Sequence, residues 1–281
     1  MVDLNSIASN LELRSDGIWY AKHHSPIAYP EDGNRFCYGV EEESFWFNHR
    51  NSFILEALQR YPPKGTLFDI GGGNGFVAKA ICESGIETVL VEPGVEGIYN
   101  AKRRGIDQLV CASLEDADFN NYSLPAVGMF DVLEHIKNDI DFLSMIRRLL
   151  VPEGRLYLTV PAYRFLWSTE DDFAQHYRRY SIRKLKDRLG LTGFSIEYAT
   201  YIFATLPVPI FLLRTLPSQL GWRKRNDFSR EKSELSPRSD TANNFLDRIL
   251  RIELKILRRR KTLPFGGSCL IVAKSPGYSG E

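Results

Sequence analysis

Cysteine is scarce in this sequence, and the four that occur (Cys37, Cys82, Cys111 and Cys269) stand far apart. No pair has metal-type or redox-type spacing, which excludes a zinc ribbon, a thioredoxin-like centre and a disulfide framework. The expectation is reduced, mostly buried thiols in a cytoplasmic protein. Net charge is nearly absent as well. The 36 Lys and Arg against 35 Asp and Glu leave +1, so no overall field attracts nucleic acid and no nucleic-acid partner is expected. No uncharged run reaches the ~18–20 apolar residues of a membrane-spanning helix. The opening "MVDLNSIASNLELRSDG" lacks the basic-then-apolar order of a signal peptide. Internal repeats are missing too. With 281 residues, 43% of them hydrophobic, the chain suits one enlarged domain or two small ones with a full core.

What is present is an alternation that starts near residue 64. "GTLFDI" (65–70), "TVLVEP" (88–93), "QLVCA" (108–112), "AVGMFDV" (126–132) and "RLYLTVP" (155–161) are short apolar runs. Between them, "NGFVAKAICESG" and "GVEGIYNAKRRG" have helical spacing and end in glycine. "NDIDFLSMIRRLL" is a further helix, followed by a turn at "VPEG". Continuous apolar strands separated by helices predict a doubly wound α/β core with a mostly parallel sheet covered on both faces. "FSIEYATYI" (194–202) and "SCLIVAKS" (268–275) read as a closing strand pair, the last one antiparallel. The division expected is an aromatic, irregular N-terminal extension (1–44), a core (45–202 plus 263–281) and a mainly helical insertion (203–262).

"LFDIGGGNGF" (67–76) places an acid and four glycines at the first strand–helix junction, where backbone N–H groups can approach a ligand. Gly73, Gly75 and Ala78 can be read as a dinucleotide fingerprint. Asp69, Gly71, Gly73 and Gly75 fit Asp-x-Gly-x-Gly-x-Gly, and here the chain resembles the seven-stranded, class I S-adenosylmethionine-dependent methyltransferases, strand by strand to residue 275 apart from the insertion. The resemblance implies S-adenosylmethionine as cofactor. It implies that Asp69 lies near the methionine amino group, that Gly71 and Gly73 pass under the cofactor, and that Glu92 accepts from the ribose hydroxyls. An acid at Glu92 suits NAD equally. Ser113 and Leu114 stand where the family has an aspartate near the adenine, a contact that passes to Glu115 if serine does not make it. The acid common at the start of the fourth strand corresponds to Pro125.

"FDVLEHI" (130–136) is similar to a frequent methyltransferase sequence after the fourth strand. It places Asp131 towards the methionine end and Glu134 and His135 at the carboxyl end of the sheet. "DFAQHYRRYSIRKL" places His176 in a later loop, before a helix capped by Ser181. Asp131, Glu134, His135 and His176 together resemble the metal-binding set of ubiquinone-pathway O-methyltransferases and small-RNA 2′-O-methyltransferases, with aspartate one methylene shorter than their glutamate. The resemblance implies a divalent cation (Mg or Mn) that acidifies and positions an acceptor hydroxyl. A hydrogen-bonded network is the other reading, with His135 or His176 as general base.

The loop 161–180 is dense in aromatics and arginines and is expected to roof the acceptor pocket. Trp167, Tyr177 and Tyr180 would stack on a ring or sugar, and Arg178 and Arg179 would clamp an anion. "EEESFWFNHRNSFILEALQRY" (41–61) resembles the entry helix of an uncharacterised bacterial subgroup. That implies Trp46 and His49 over the cofactor pocket, with Arg50 near the methionine carboxylate. In the insertion, the proline-broken "FATLPVPIFLLRTLP" precedes a polar stretch whose composition suggests disorder. A basic helix then carries Phe245, Ile249, Ile252 and Ile256 on one face. This region either touches the inner face of a membrane or packs on the sheet or a second subunit. The reading is methyl transfer to a hydroxyl of a small molecule, glycan or lipid-linked precursor. An NAD-dependent oxidoreductase and a non-catalytic scaffold of the same fold are the alternatives.

Overall fold

Short β-rich runs closed off by glycine-ended helices build one sheet in this computed structural model, which describes residues 2–23, 38–222 and 240–277, the side chains of 240–247 apart. The strands are β1 (Leu11–Leu13), β2 (Trp19–Ala21), β3 (Leu67–Ile70), β4 (Thr88–Val91), β5 (Gln108–Cys111), β6 (Leu124–Phe130), β7 (Leu150–Pro161), β8 (Ser195–Ile202) and β9 (Ser268–Lys274). They lie in the order β1-β2-β5-β4-β3-β6-β7-β9-β8. From β2 to β7 all neighbours are parallel. β9 runs antiparallel between β7 and β8.

The seven strands expected are β3 to β9, and two more precede them. The N-terminal extension is therefore not irregular throughout. Gly17, at φ +76, turns the chain between β1 and β2, and β2 adds to the sheet edge through Trp19↔Val110 and Tyr20↔Cys111. Ile18 and Tyr20 then pack with Leu109 and Cys111. Residues 24–37 of that extension, Cys37 among them, lie outside the described residues. The turn expected at "VPEG" is a break in register within β7. Pairing with β6 jumps from Leu124↔Leu150 to Ala126↔Arg155, with Glu153 at φ 64.

Helices cover both faces. α1 (Leu4–Ile7), α2 (Phe45–Arg60), α3 (Phe76–Glu83), α4 (Val95–Arg103), α5 (Leu114–Ala117), α6 (Asp139–Leu149), α7 (Thr169–Phe173) and α8 (Ile182–Leu191) follow in chain order. Period-two alternation assigns each strand residue to a side. Phe68, Ile70, Leu156 and Leu158 meet Leu143 and Ile146 of α6 and Leu185 of α8. Leu67, Tyr157, Leu270 and Val272 meet Phe53 and Leu58 of α2. Ser181 caps α8 as expected, its hydroxyl accepting from the Lys184 N–H at 3.2 Å.

The insertion is helical where described. α9 is wound as α over Pro207–Ile210, π over Phe211–Thr215 and α again over Leu216–Gln219. α10 (Asp240–Arg258) lies against α2, with Leu250, Leu257 and the buried Glu253 facing inward. Its buried stripe is turned from the expected one. Ile252 is 52% exposed, and Phe245 lies among the side chains not described. The reason is Glu253, whose two carboxylate oxygens accept the Phe203 and Ala204 N–H groups, both at 2.8 Å. The end of β8 thus fixes the rotation of α10, and burial raises the Glu253 pKa. Substituting Glu253→Ala leaves two N–H donors without acceptors, so denaturant unfolding should show a loss of about 1–3 kcal/mol.

Candidate active site

β3 delivers Asp69 to the carboxyl edge of the sheet, and the chain then needs three left-handed turns in five residues. Gly71, Gly73 and Gly75 have φ of +69, +53 and +76, values that a side chain disfavours. Gly75 also begins α3 where α4 crosses it. A Cβ there would lie 2.8 Å from the Ala101 Cβ. The loop is tied to β4 by Glu92, whose carboxylate accepts from Gly73 N at 2.9 Å and Gly94 N at 2.8 Å. Asp69 is 1% exposed, and its Oδ2 is buried without a hydrogen-bond partner. Burial pushes its pKa up to about 7, against the pull of Arg50, and Glu92 adds to the rise.

A strap from the N-terminal segment holds the loop from outside. Arg104, just past α4, donates to Glu41 at 2.6 Å and to the Asn74 carbonyl at 3.0 Å. Its guanidinium lies over Tyr38 and Phe76, 4.6 and 5.3 Å from the ring centroids. The Asn74 amide joins Glu41 to Asn100. Sequence reading missed all four polar residues of this lattice. The only signal was an asparagine inside a glycine run.

Asp131, itself left-handed at φ 60, directly follows β6. Its carboxylate pairs with Arg50 of α2 and accepts from the Thr159 hydroxyl at 3.1 Å. Arg50, which the resemblance places near the methionine carboxylate, pairs here with Asp131. Trp46 stacks on Phe203 at 4.1 Å and His49 meets Phe53 and Phe203, so both join α2 to the start of the insertion. Beyond β5, Ser113 caps α5 by accepting from Asp116 N at 3.0 Å. Leu114 is buried, and Glu115 points to solvent.

After Asp131 comes a 3₁₀ turn, Leu133–His135. The loop after β7 returns to it through Tyr177 N, which donates to the Glu134 carbonyl at 2.8 Å. This brings the rings of His135 and His176 to 4.7 Å between centroids, nearly perpendicular. Glu134, His135 and His176 offer ligand atoms within 4.8 Å of one another. Asp131 is not in that group, because Arg50 and Thr159 hold its carboxylate elsewhere. The expected set of four is therefore a trio. Burial, with Asp131 close by, raises the Glu134 pKa well above the usual range. Burial and the neighbouring His176 lower that of His135 to about 4.

His176 is held by Asp171, which sequence reading missed because "STEDD" does not reveal which acid turns inward. Asp171 is fully buried. It receives His176 Nδ1 at 2.8 Å, Arg179 through two nitrogens at 2.7 and 3.0 Å, and Ser168 N at 2.9 Å. Burial opposes ionisation of Asp171, yet these partners hold its pKa below the usual value. With Nδ1–H donated to a carboxylate, the imidazole presents Nε2 as its acceptor.

Three residues expected to bind the acceptor have other work. Tyr180 is fully buried, its hydroxyl donating to Asp139 at 2.9 Å. Arg178 pairs with Asp139 at 2.9 Å, and Arg188 does so from α8. Both therefore fasten the loop to α6 and α8. Arg179 likewise serves Asp171. Trp167 donates to Asp172 at 3.0 Å, and Tyr177, 53% exposed, remains on the rim.

Comparison with known proteins agrees with this geometry. A family model described as a methyltransferase domain matches residues 46–199, more than half of the chain. A probable S-adenosylmethionine-dependent methyltransferase of Mycolicibacterium smegmatis is 24% identical over 183 residues, spanning 63% of this chain and 70% of its own. Among solved structures, the complex of the Haloferax volcanii Trm112 methyltransferase activator with a candidate methyltransferase matches at TM-score 0.55 and 17% identity, over 89% of this chain and 96% of that one. Phosphoethanolamine N-methyltransferase 2 of Haemonchus contortus, bound to S-adenosyl-L-methionine, matches at TM-score 0.53 and 18% identity, over 88% of this chain and 57% of that one. These two likenesses speak for the fold alone. The family match runs through the glycine loop and both histidine-bearing segments, which sets aside the dinucleotide reading of the same glycines. The chain belongs to the methyltransferase domain family, with the class I, S-adenosylmethionine-dependent fold.

Proposed function

We propose that this enzyme methylates a hydroxyl oxygen of a small molecule, glycan or lipid precursor, with His176 as the general base. The observation that carries the base assignment is the Asp171–His176 hydrogen bond of 2.8 Å, beside His135 at the carboxyl end of β6. His176 Nε2 accepts the hydroxyl proton, and buried Asp171 stabilises the imidazolium that results. His135, kept neutral by burial, adds no positive charge to oppose that change. Tyr177 and Trp167 line the approach.

The residues present fit S-adenosylmethionine. An unpaired, buried carboxylate oxygen at Asp69 suits an ammonium group and would repel a diphosphate. Glu92, held at the end of β4 by the Gly73 and Gly94 N–H groups, would take ribose hydroxyls. Ser113 and Leu114 would border the adenine, and Gly71, Gly73 and Gly75 would floor the cleft. Asp131 with Arg50 would close the methionine end. The donor, when bound, supplies a sulfonium-activated methyl group.

A second reading rests on the trio Glu134, His135 and His176. These mixed oxygen and nitrogen ligands would hold a divalent cation such as Mg²⁺ or Mn²⁺, which would supply Lewis-acid activation of the acceptor.

Three outcomes test these readings. His176→Ala should lower kcat about 10²- to 10⁴-fold while calorimetric affinity for S-adenosylhomocysteine stays within about twofold; an unchanged kcat removes His176 from the chemistry. Activity should survive exhaustive chelation. Its loss, with recovery on adding Mn²⁺ or Mg²⁺, would favour the cation reading instead.

Asp69 gives the third. Its folded pKa, about 7, lies above the ordinary 3.8. Its contribution to ligand-free stability is thus fully present below about 4 and lost as pH rises through about 7. An ammonium ligand favours the ionised form, so binding at pH 7 should release protons, read as a dependence of heat on buffer ionisation enthalpy. Asp69→Asn should abolish that release and weaken adenosylhomocysteine binding by about 1.5–3 kcal/mol. It should also flatten the fall in thermal midpoint between pH 4 and 7.

A further inference from the structure

The insertion carries one apolar surface that nothing in the described fold covers. The apolar stripe of α10 packs on α2, but that of α9 does not pack inward. Val208, Leu212, Leu216 and Leu220 recur four apart along one side, and all are exposed. Leu213 beside them is 59% exposed and Trp222, just beyond the helix, 75%. The opposite side of α9 is seated, with Pro207 and Thr215 buried. A continuous row of leucines this open marks an interaction site.

We infer that the outer side of α9, with Trp222, docks this enzyme on an anionic lipid bilayer. Charge selects that occupant. Between residues 198 and 222 there is no acidic residue, and Arg214 is the only charged one. From 248 to 261, Arg248, Arg251, Lys255, Arg259, Arg260 and Lys261 are all exposed, whereas the only acid, Glu253, is buried. An apolar helix without acids, on an insertion rich in exposed cations, suits headgroups of negative charge. A tryptophan beyond its end suits the boundary between headgroups and acyl chains. The chain's own residues 223–239 are a poor cover, since Phe228 and Leu235 are their only large apolar side chains. Docking is in the plane of the surface, because no helix among the described residues is long and apolar enough to cross a membrane.

The surface is joined to the active site. The Thr169 N–H donates to Ser218 of α9 at 3.0 Å, next to Ser168, whose N–H donates to Asp171. Phe211 of α9 meets Phe165 at 6.4 Å, and Phe165 stacks on Tyr163 at 5.2 Å. The loop that fixes His176 would therefore rest at the membrane surface.

Sedimentation with vesicles tests this without any donor or acceptor, so it is read independently of the proposed reaction. The full chain should pellet with vesicles of phosphatidylcholine and phosphatidylglycerol, and progressively less as salt rises or phosphatidylglycerol is removed. Leu212→Glu with Leu216→Glu should lower that partition tenfold or more while the circular dichroism spectrum and adenosylhomocysteine affinity stay as in the parent. Three results would overturn the proposal. One is no binding to either vesicle, and a second is binding indifferent to the double substitution. The third is a parent dimer in sedimentation velocity that the substitutions make monomeric without vesicle binding, which would assign the surface to a second copy.

Discussion

Four carboxylates gather at the carboxyl edge of one buried sheet, and the Arg50 guanidinium stands among them. Asp69, Glu92, Asp131 and Glu134 come from three different strand ends, and Arg50 reaches them from α2. Removing that many like charges from water is costly unless they are paired, hydrogen-bonded or protonated. Each acid has its own solution. Glu92 takes two backbone N–H groups. Asp131 takes Arg50 and Thr159. Asp69 and Glu134 hold protons more tightly, mainly through burial. A cleft arranged in this way is short of positive charge, and that shortage gives a cationic ligand an advantage over a diphosphate.

A second buried acid organises the acceptor side by the opposite means. Asp171 is as buried as Asp69 but has a bidentate arginine, an imidazole and a backbone N–H around it, so it stays ionised. The difference is functional. An acid left short of partners is open to a ligand, whereas a saturated acid holds a neighbouring base in one orientation. Asp139 repeats the saturated pattern with Tyr180, Arg178 and Arg188. Between them, the two acids fasten both ends of the loop that carries His176.

The strands, the glycine turn and the Ser181 cap were legible in sequence because each has a local signature of period or residue type. The N-terminal hairpin was not, since strands of three residues are too short to display alternation. The order of side chains in "HYRRY" was also opaque. His176 and Tyr177 stay near the cleft while Arg178, Arg179 and Tyr180 turn to buried aspartates, and only the partners, distant in sequence, decide which does which. The resemblance placed Asp131 in a metal set, but Arg50, some eighty residues earlier, claims its carboxylate. The face of α10 was misjudged for a related reason. An apolar count places Ile252 inside, yet two N–H groups at the end of β8 require the acid one position later.

That last correction bears on what the insertion is for. A basic amphipathic helix and an apolar proline-broken segment look alike from sequence as surface-seeking elements, and their roles separate only when partners are assigned. Glu253 anchors α10 to the core, and Arg258 reinforces it through Glu56 at 2.8 Å. The basic helix is therefore scaffold, with its cations left at the surface. α9 is seated by Pro207, Thr215 and the Thr169–Ser218 hydrogen bond. A π-wound turn within it shifts the side-chain register, keeping Thr215 buried while Leu212, Leu213 and Leu216 stay outside. The same insertion thus divides into a fixed half, built by a buried carboxylate, and an open half that rests directly on the loop holding the general base. Any body that settles on the open half must press on that loop.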